Sequence, residues 1–216
     1  VVGPDGRAVQ QGVELGADGQ GVLLDMAVPC GPAPPDGWPI LLWMNGTGGS
    51  ARAAPIAQLG PNVPYAVLSI APLYSGDRLV PAPAPFNTSE LQFFNYLNPL
   101  AARTNQLQQA ADVLYLERIA QHLTFAPGEA GGTVDHLDAE RVVMAGHSQG
   151  ASTLPPTLAV DPTVDGAFLS AAGGGLYHSI VHRADVRALV DGLLGTAPGE
   201  LDIFHPYPQV LQTFAE

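Results

Sequence analysis

The 216-residue sequence contains no lysine: its eight basic residues are all arginine, set against 20 acidic ones, for a net charge of -12. A chain this poor in cations has no basic footprint for displacing counterions, which excludes nucleic acid and anionic membrane as partners. Cysteine is nearly absent. With Cys30 alone, no internal disulfide can form and C-x-x-C metal or redox sites are ruled out. No run approaches the roughly 20 apolar residues that cross a bilayer, so no membrane span is expected. Neither G-x-x-x-x-G-K-[ST] nor G-x-G-x-x-G occurs, which removes the usual nucleotide cradles, and no cofactor or metal is expected. The start, Val1-Val2-Gly3-Pro4, has no initiator methionine and no charged and then apolar leader, which predicts a processed or trimmed N-terminus.

What the chain does have is apolar material. Hydrophobic residues make up 46% and charged residues only 13%, enough for one domain with a sizeable core. Abundant alanine, proline and glycine without lysine point to a bacterial source, with a secreted or periplasmic location favoured over the cytoplasm.

In chain order, Arg7 to Glu14 and Gly21 to Val28 read as two strands joined by Gly16-Ala17-Asp18-Gly19, an antiparallel start to a sheet. A proline-rich connection follows from Cys30 to Gly37. Trp38 to Met44 then runs apolar without alternation, as expected of a central strand covered on both faces. Tyr65 to Ala71 is a further strand. Pro72 to Ala102 reads as a long loop, with aromatics Phe86, Phe93, Phe94 and Tyr96 that would wall a binding site or simply pack. Thr104 to Leu123 has helical periodicity, with Leu107, Ala110, Ala111, Leu114, Arg118 and Ile119 near one side and Gln108, Gln109, Asp112 and Glu117 elsewhere. Asp135-His136-Leu137-Asp138 is read as turn and cap residues rather than a metal cluster. Asn45-Gly46-Thr47 and Asn87-Thr88-Ser89 match a glycosylation sequon but carry little without a eukaryotic host.

The most informative stretch is Arg141 to Ala151. Val142 to Ala145 form a short apolar strand that runs into Gly146-His147-Ser148-Gln149-Gly150, and Ala151 to Leu154 make a plausible first helical turn. G-x-S-x-G in this setting is the pattern of a nucleophile elbow, a serine on a strained turn between strand and helix. Given 8 serines and 25 glycines, random placement produces about 0.1 such matches, so the strand and helix on either side carry the reading. Upstream, the central strand ends in Asn45-Gly46-Thr47-Gly48-Gly49-Ser50, where backbone N-H groups could face a developing oxyanion. Val164 to Ser170 is one more strand, ending in Gly173-Gly174-Gly175, and Leu176 to Glu216 shows helical pieces near residues 181–194 and 207–214 but no further strand.

These two loops, in this order, resemble the α/β-hydrolase fold and specifically its serine esterases and lipases. Asn45-Gly46-Thr47-Gly48-Gly49 looks like the family's HG-x-G type oxyanion loop with asparagine in the histidine's place. The resemblance covers roughly Arg7 to Gly175 and implies an α/β fold with a mostly parallel central sheet and flanking helices, lacking the C-terminal strands in this chain. Residues 1–175 would be the N-terminal part of the core and 176–216 a lid or cap. It also implies Ser148 as nucleophile, with oxyanion donors from the backbone N-H groups of Gln149 and of Thr47, Gly48 being the next candidate. His147 would point elsewhere. The substrate would be a small uncharged or apolar ester.

The pattern departs from the family in one respect. The family order is serine, acid, histidine, with acid and histidine on loops after later strands, and those strands are not visible here. Asp202 and His205 are the nearest approach to a pair, yet three residues of separation put them on one turn. The expectation is therefore that a second polypeptide, or a C-terminal piece outside these residues, completes the fold and supplies acid and base. A non-catalytic ligand-binding module of the same fold, or an acyltransferase or peptidase, are the alternatives.

Overall fold

The structure is a computed structural model that describes residues 7–14, 21–29, 32–51, 64–126, 134–174, 176–197 and 199–215. The turn at Gly16 to Gly19, Cys30 and Gly175 lie outside the described residues.

Six strands form one sheet: β1 (Arg7–Glu14), β2 (Gly21–Ala27), β3 (Pro39–Met44), β4 (Ala66–Ile70), β5 (Asp138–His147) and β6 (Val164–Ser170), in the order β1-β2-β4-β3-β5-β6. β1 and β2 pair antiparallel, and β2 joins β4 antiparallel. From there the sheet is parallel, β4 to β3, β3 to β5 and β5 to β6. The apolar run predicted as the central strand is β3, flanked on both edges, with Ile40, Leu42 and Met44 fully buried. Because all parallel strands point the same way, the turns after β3 and β5 open at one end of the sheet.

The helices are α1 (Ser89–Phe94), α2 (Pro99–His122), α3 (Gln149–Val160), α4 (Leu176–His182), α5 (Ala184–Leu194) and α6 (Pro206–Ala215). The segment read as a long loop, Pro72 to Ala102, thus contains α1 and the first residues of α2. Thr88 Oγ1 accepts the N-H of Leu91 at the start of α1, and Asn95 ends it in a left-handed conformation. Asn98 caps α2 and Pro99 occupies its first turn, where a missing N-H costs nothing, so α2 begins five residues before the periodicity does.

The buried face of α2 also differs from the expected one. Gln109 and Glu117 are fully buried while Leu107 is half exposed. The reason is the neighbour: α2 packs on α3, whose Thr153 and Thr157 hydroxyls bond to Gln109 and to the Ala110 carbonyl. A polar stripe on one helix meets a polar stripe on the other, and Glu117 Oε1 accepts from Gln121 Nε2 and from Thr163 Oγ1 just beyond α3, bonds that offset lost hydration.

Two apolar clusters hold the chain together. The larger joins β2 to β5 with Val113, Leu116 and Ala120 of α2 and Leu154 of α3. The smaller joins Leu91 and Tyr96 to Ile180, Val186, Val190 and Leu201, so that the segment around α1 and the residues from 176 onward share a core of their own. β6 ends the sheet, and Ala167, Phe168 and Leu169 on it are exposed. No helix among the described residues is long and apolar enough to cross a membrane.

Candidate active site

Ser148 stands between β5 and α3 with φ 54° and ψ -116°, a backbone region that costs a non-glycine residue about 1–3 kcal/mol and persists only where surrounding structure imposes it. The glycines on either side make the turn possible. A Cβ on Gly146 would stand 2.7 Å from the Gly150 carbonyl carbon, and one on Gly150 only 2.2 Å from the Met44 carbonyl oxygen. Both are closer than real Cβ atoms approach, so strand and helix meet here only without side chains. The Ser148 N-H is held by the Ser170 carbonyl of β6 at 2.9 Å, and the Ser148 carbonyl accepts from Ser152 N-H at 2.9 Å.

The loop after β3 lies directly against this turn. A Cβ on Gly46 would come within 3.1 Å of Ser148 Cβ, and Gly150 N-H donates to the Asn45 carbonyl at 3.1 Å. Asn45, in the position where the resemblance expects histidine, braces the loop: Trp43 Nε1 donates to its Oδ1 at 3.0 Å and its Nδ2 donates to the Ser50 carbonyl at 2.9 Å.

Within the loop the backbone donors divide. Gly48 N-H is taken by Ser75 Oγ at 2.9 Å and Gly49 N-H by the Gly46 carbonyl at 3.0 Å. No acceptor among the described residues meets the N-H of Thr47 or of Gln149, the latter being the first residue of α3 and so without an intrahelical partner.

The Gln149 side chain is buried beneath the turn. Its Nε2 donates to Gln109 Oε1 at 2.7 Å and to the Leu73 carbonyl at 3.1 Å. Gln109 in turn accepts from Leu73 N-H at 3.1 Å and donates to Thr153 Oγ1 at 3.1 Å. Sequence reasoning missed this network, because its bonds join residues 36 or more positions apart.

Ser148 opens on a cavity of about 430 Å³, within the range of small-molecule sites. Phe94 and Tyr96 line it, as the reading of that segment as a binding wall expects, together with Ala171 and Gly173 after β6. His147 turns away, its Nδ1 lying 3.1 Å from Ser170 Oγ.

None of the six histidines forms a hydrogen bond with the Ser148 hydroxyl. His122 bonds the Arg118 carbonyl, His136 pairs with Asp135, and His178 and His182 stack on each other on α4. Asp202 and His205 are neighbours, but not as a charge pair: Asp202 Oδ1 accepts the backbone N-H groups of Phe204 and His205 at 2.8 and 2.9 Å, while His205 Nδ1 accepts Tyr207 N-H at 3.2 Å. They form the turn that starts α6, and neither lines the cavity. Asp135 and Asp138 likewise serve locally, to His136 and to Arg141, and no group of three or more metal-type side chains occurs among the described residues.

No family sequence model matches the chain, and no curated protein matches it by sequence. Solved structures do. An acetyl xylan esterase from Paenibacillus sp. R4 superposes with a TM-score of 0.59 at 16% identity, covering 97% of this chain and 66% of that one. Acetyl xylan esterase 1 from Thermoanaerobacterium sp. JW/SL YS485 superposes at 0.53 and 13% identity, with the same coverage. The chain has the α/β-hydrolase fold. It spans just under two thirds of the length of each of these two structures. At such identities the likeness establishes the fold and leaves the chemistry to the site.

Proposed function

We propose that this α/β-hydrolase chain is the nucleophile-bearing part of a serine carboxylic-ester hydrolase. Ser148 is the nucleophile, and the backbone N-H groups of Gln149 and Thr47 are the oxyanion donors. The observation that carries the reading is the strained Ser148 conformation pressed against Gly46 of the β3 loop, a geometry that costs stability and gives none back unless the hydroxyl at the cavity and the free N-H groups are used. In this mechanism Ser148 Oγ attacks the ester carbonyl, the alcohol leaves, and water releases the acid from the acyl-enzyme. That acetyl xylan esterases are among the structural neighbours supports an ester as the substrate.

The acid and histidine come, in this reading, from polypeptide outside these residues. Two observations support it: no histidine bonds Ser148, and β6 leaves the sheet edge with Phe168 and Leu169 uncovered, where further strands would pair. Residues 1–175 are then core and 176–216 a cap over the cavity.

A fluorophosphonate probe with intact-mass analysis tests both parts. Labelling at Ser148 that vanishes in Ser148→Ala, with ester turnover only when a second polypeptide is present, is the expected result. Full turnover by a single species of these 216 residues would overturn the missing-piece reading. No labelling at all would favour the second reading, a non-catalytic ligand-binding module, which the absence of a histidine at Ser148 also supports.

A further inference from the structure

The cavity at Ser148 has a charge opposite to that of the chain as a whole. Acidic residues outnumber basic ones 20 to 8, yet among the described residues the cavity wall includes Arg103 and Arg183 and no aspartate or glutamate. The two arginines are not equivalent. Arg183 is already neutralised, with Nη2 at 2.5 Å from Asp185 and 3.6 Å from Glu90. Arg103, on the first turns of α2, has no carboxylate and no hydrogen-bond partner among the described residues. Four other arginines are each committed: Arg78 to Asp112, Arg118 to Gln121, Arg141 to Asp138 and Arg187 to Asp191.

Against such an excess of carboxylates, an arginine that meets none among the described residues, on the wall of the cavity that holds the nucleophile, is a vacant anion partner. A guanidinium is also the side chain best shaped to take a planar carboxylate through two parallel N-H bonds. One turn along from it, Gln106 adds to the same wall and its Oε1 is buried without a donor, a second polar contact for a ligand that reaches this side.

We propose that Arg103 is the carboxylate-binding residue of the Ser148 site, and that the substrate is an ester carrying a second, ionised carboxyl group, a half-ester of a dicarboxylic acid. This rests on the reading of Ser148 as nucleophile. Attack of Ser148 Oγ on the ester carbonyl breaks the bond to the alkoxy oxygen, which leaves as the alcohol with a proton. Water then cleaves the acyl-enzyme and restores the serine hydroxyl, so that half-ester and water become dicarboxylic acid and alcohol. The negative surface acts through solvent and is screened within roughly 8 Å at physiological salt, whereas Arg103 acts at contact, so the chain-wide charge slows the arrival of such an anion without deciding what the cavity prefers.

Binding to the Ser148→Ala protein tests the proposal without needing turnover. Calorimetric titration with monoethyl succinate and with ethyl levulinate, which puts a neutral ketone where the carboxylate stands, should show the anion bound tighter by about tenfold, as expected of a charge-assisted pair. Adding Arg103→Gln should bring the ratio to about one, and Arg103→Lys should keep part of it. Equal binding of the two esters, a ratio unchanged by Arg103→Gln, or no binding of either would overturn the proposal. Failure of the nucleophile reading looks different: Ser148 would resist the fluorophosphonate while the Arg103-dependent preference persisted.

Discussion

Gln149 Nε2 donates to Gln109 Oε1 at 2.7 Å, a fully buried bond between the residue that follows the nucleophile and the middle of α2. Through it the turn that carries Ser148 is fastened to the helix that also carries Arg103. Both side chains are at most 1% exposed, so removing one partner leaves amide groups without water or bond. Gln109→Leu should cost about 2–3 kcal/mol in denaturant melts, since it orphans Leu73 N-H and weakens the seat of Gln149. Combined with Gln149→Leu, the losses should be non-additive by more than about 0.5 kcal/mol, as for members of one network. Strict additivity would mean that the two carboxamides act independently.

The glycines of the site should fail in different ways. At Gly46 an added Cβ would stand 3.1 Å from Ser148 Cβ and 3.4 Å from His147 Cδ2, a contact that a shift of a few tenths of an ångström relieves. Gly46→Ala should therefore fold normally but slow fluorophosphonate labelling by about tenfold, because the shift moves the oxyanion loop off the nucleophile. At Gly150 the obstacle is the Met44 carbonyl at 2.2 Å, which is backbone and cannot step aside. Gly150→Ala should lose about 4 kcal/mol or fail to fold. Equal stability of the two variants by thermal melt would sink this distinction.

Much of this was legible in the sequence, because the requirements are local. Gly146, Gly150 and the Asn45 to Gly49 loop announce themselves through residue type, since only glycine fits where backbones touch. The strands read correctly wherever apolar runs are continuous. What escaped was non-local. The burial of Gln109 depends on α3 presenting Thr153, and that of Glu117 on Thr163 just beyond the end of α3, and a helical periodicity that sorts residues by polarity places such glutamine and glutamate outside. That Arg103 meets no carboxylate among the described residues is likewise invisible until the ion pairs of the fold are known. Helix α1 was missed for the opposite reason: six residues between a proline run and Asn95 are too few to establish a period.

Asp202 and His205 offer a direct check on where the base comes from. Asp202 spends its carboxylate on the backbone of Phe204 and His205. His205→Ala and Asp202→Asn should therefore label with fluorophosphonate at the rate of the unmodified chain, the second perturbing only the start of α6. Loss of labelling in either variant, with the fold intact by circular dichroism, would place the catalytic pair on this turn after all.

The far end of α3 should control how stability depends on pH. There Asp161, the residue that ends the helix, meets Glu117 of α2, with Thr163 Oγ1 2.5 Å from Glu117 Oε1 and 2.6 Å from Asp161 Oδ1. Burial first, and then the hydrogen bond to Asp161, push the Glu117 carboxyl up to about 7, while that same bond holds Asp161 below the usual carboxylate range. Because the folded chain holds the Glu117 proton more tightly than the unfolded one, this contribution is complete below about pH 4.5 and is lost as pH rises towards 7. Asp161 acts in the opposite sense and only in acid. Thermal midpoints should thus decline between pH 5 and 7.5, and Glu117→Gln, which mimics the protonated form, should flatten that decline. A decline of equal slope in Glu117→Gln would assign the pH dependence to other groups. Helix α3 has 12 residues, roughly 18 Å at 1.5 Å per residue, which separates this carboxyl pair from Ser148. The substitution should therefore leave the pH profile of serine labelling unchanged.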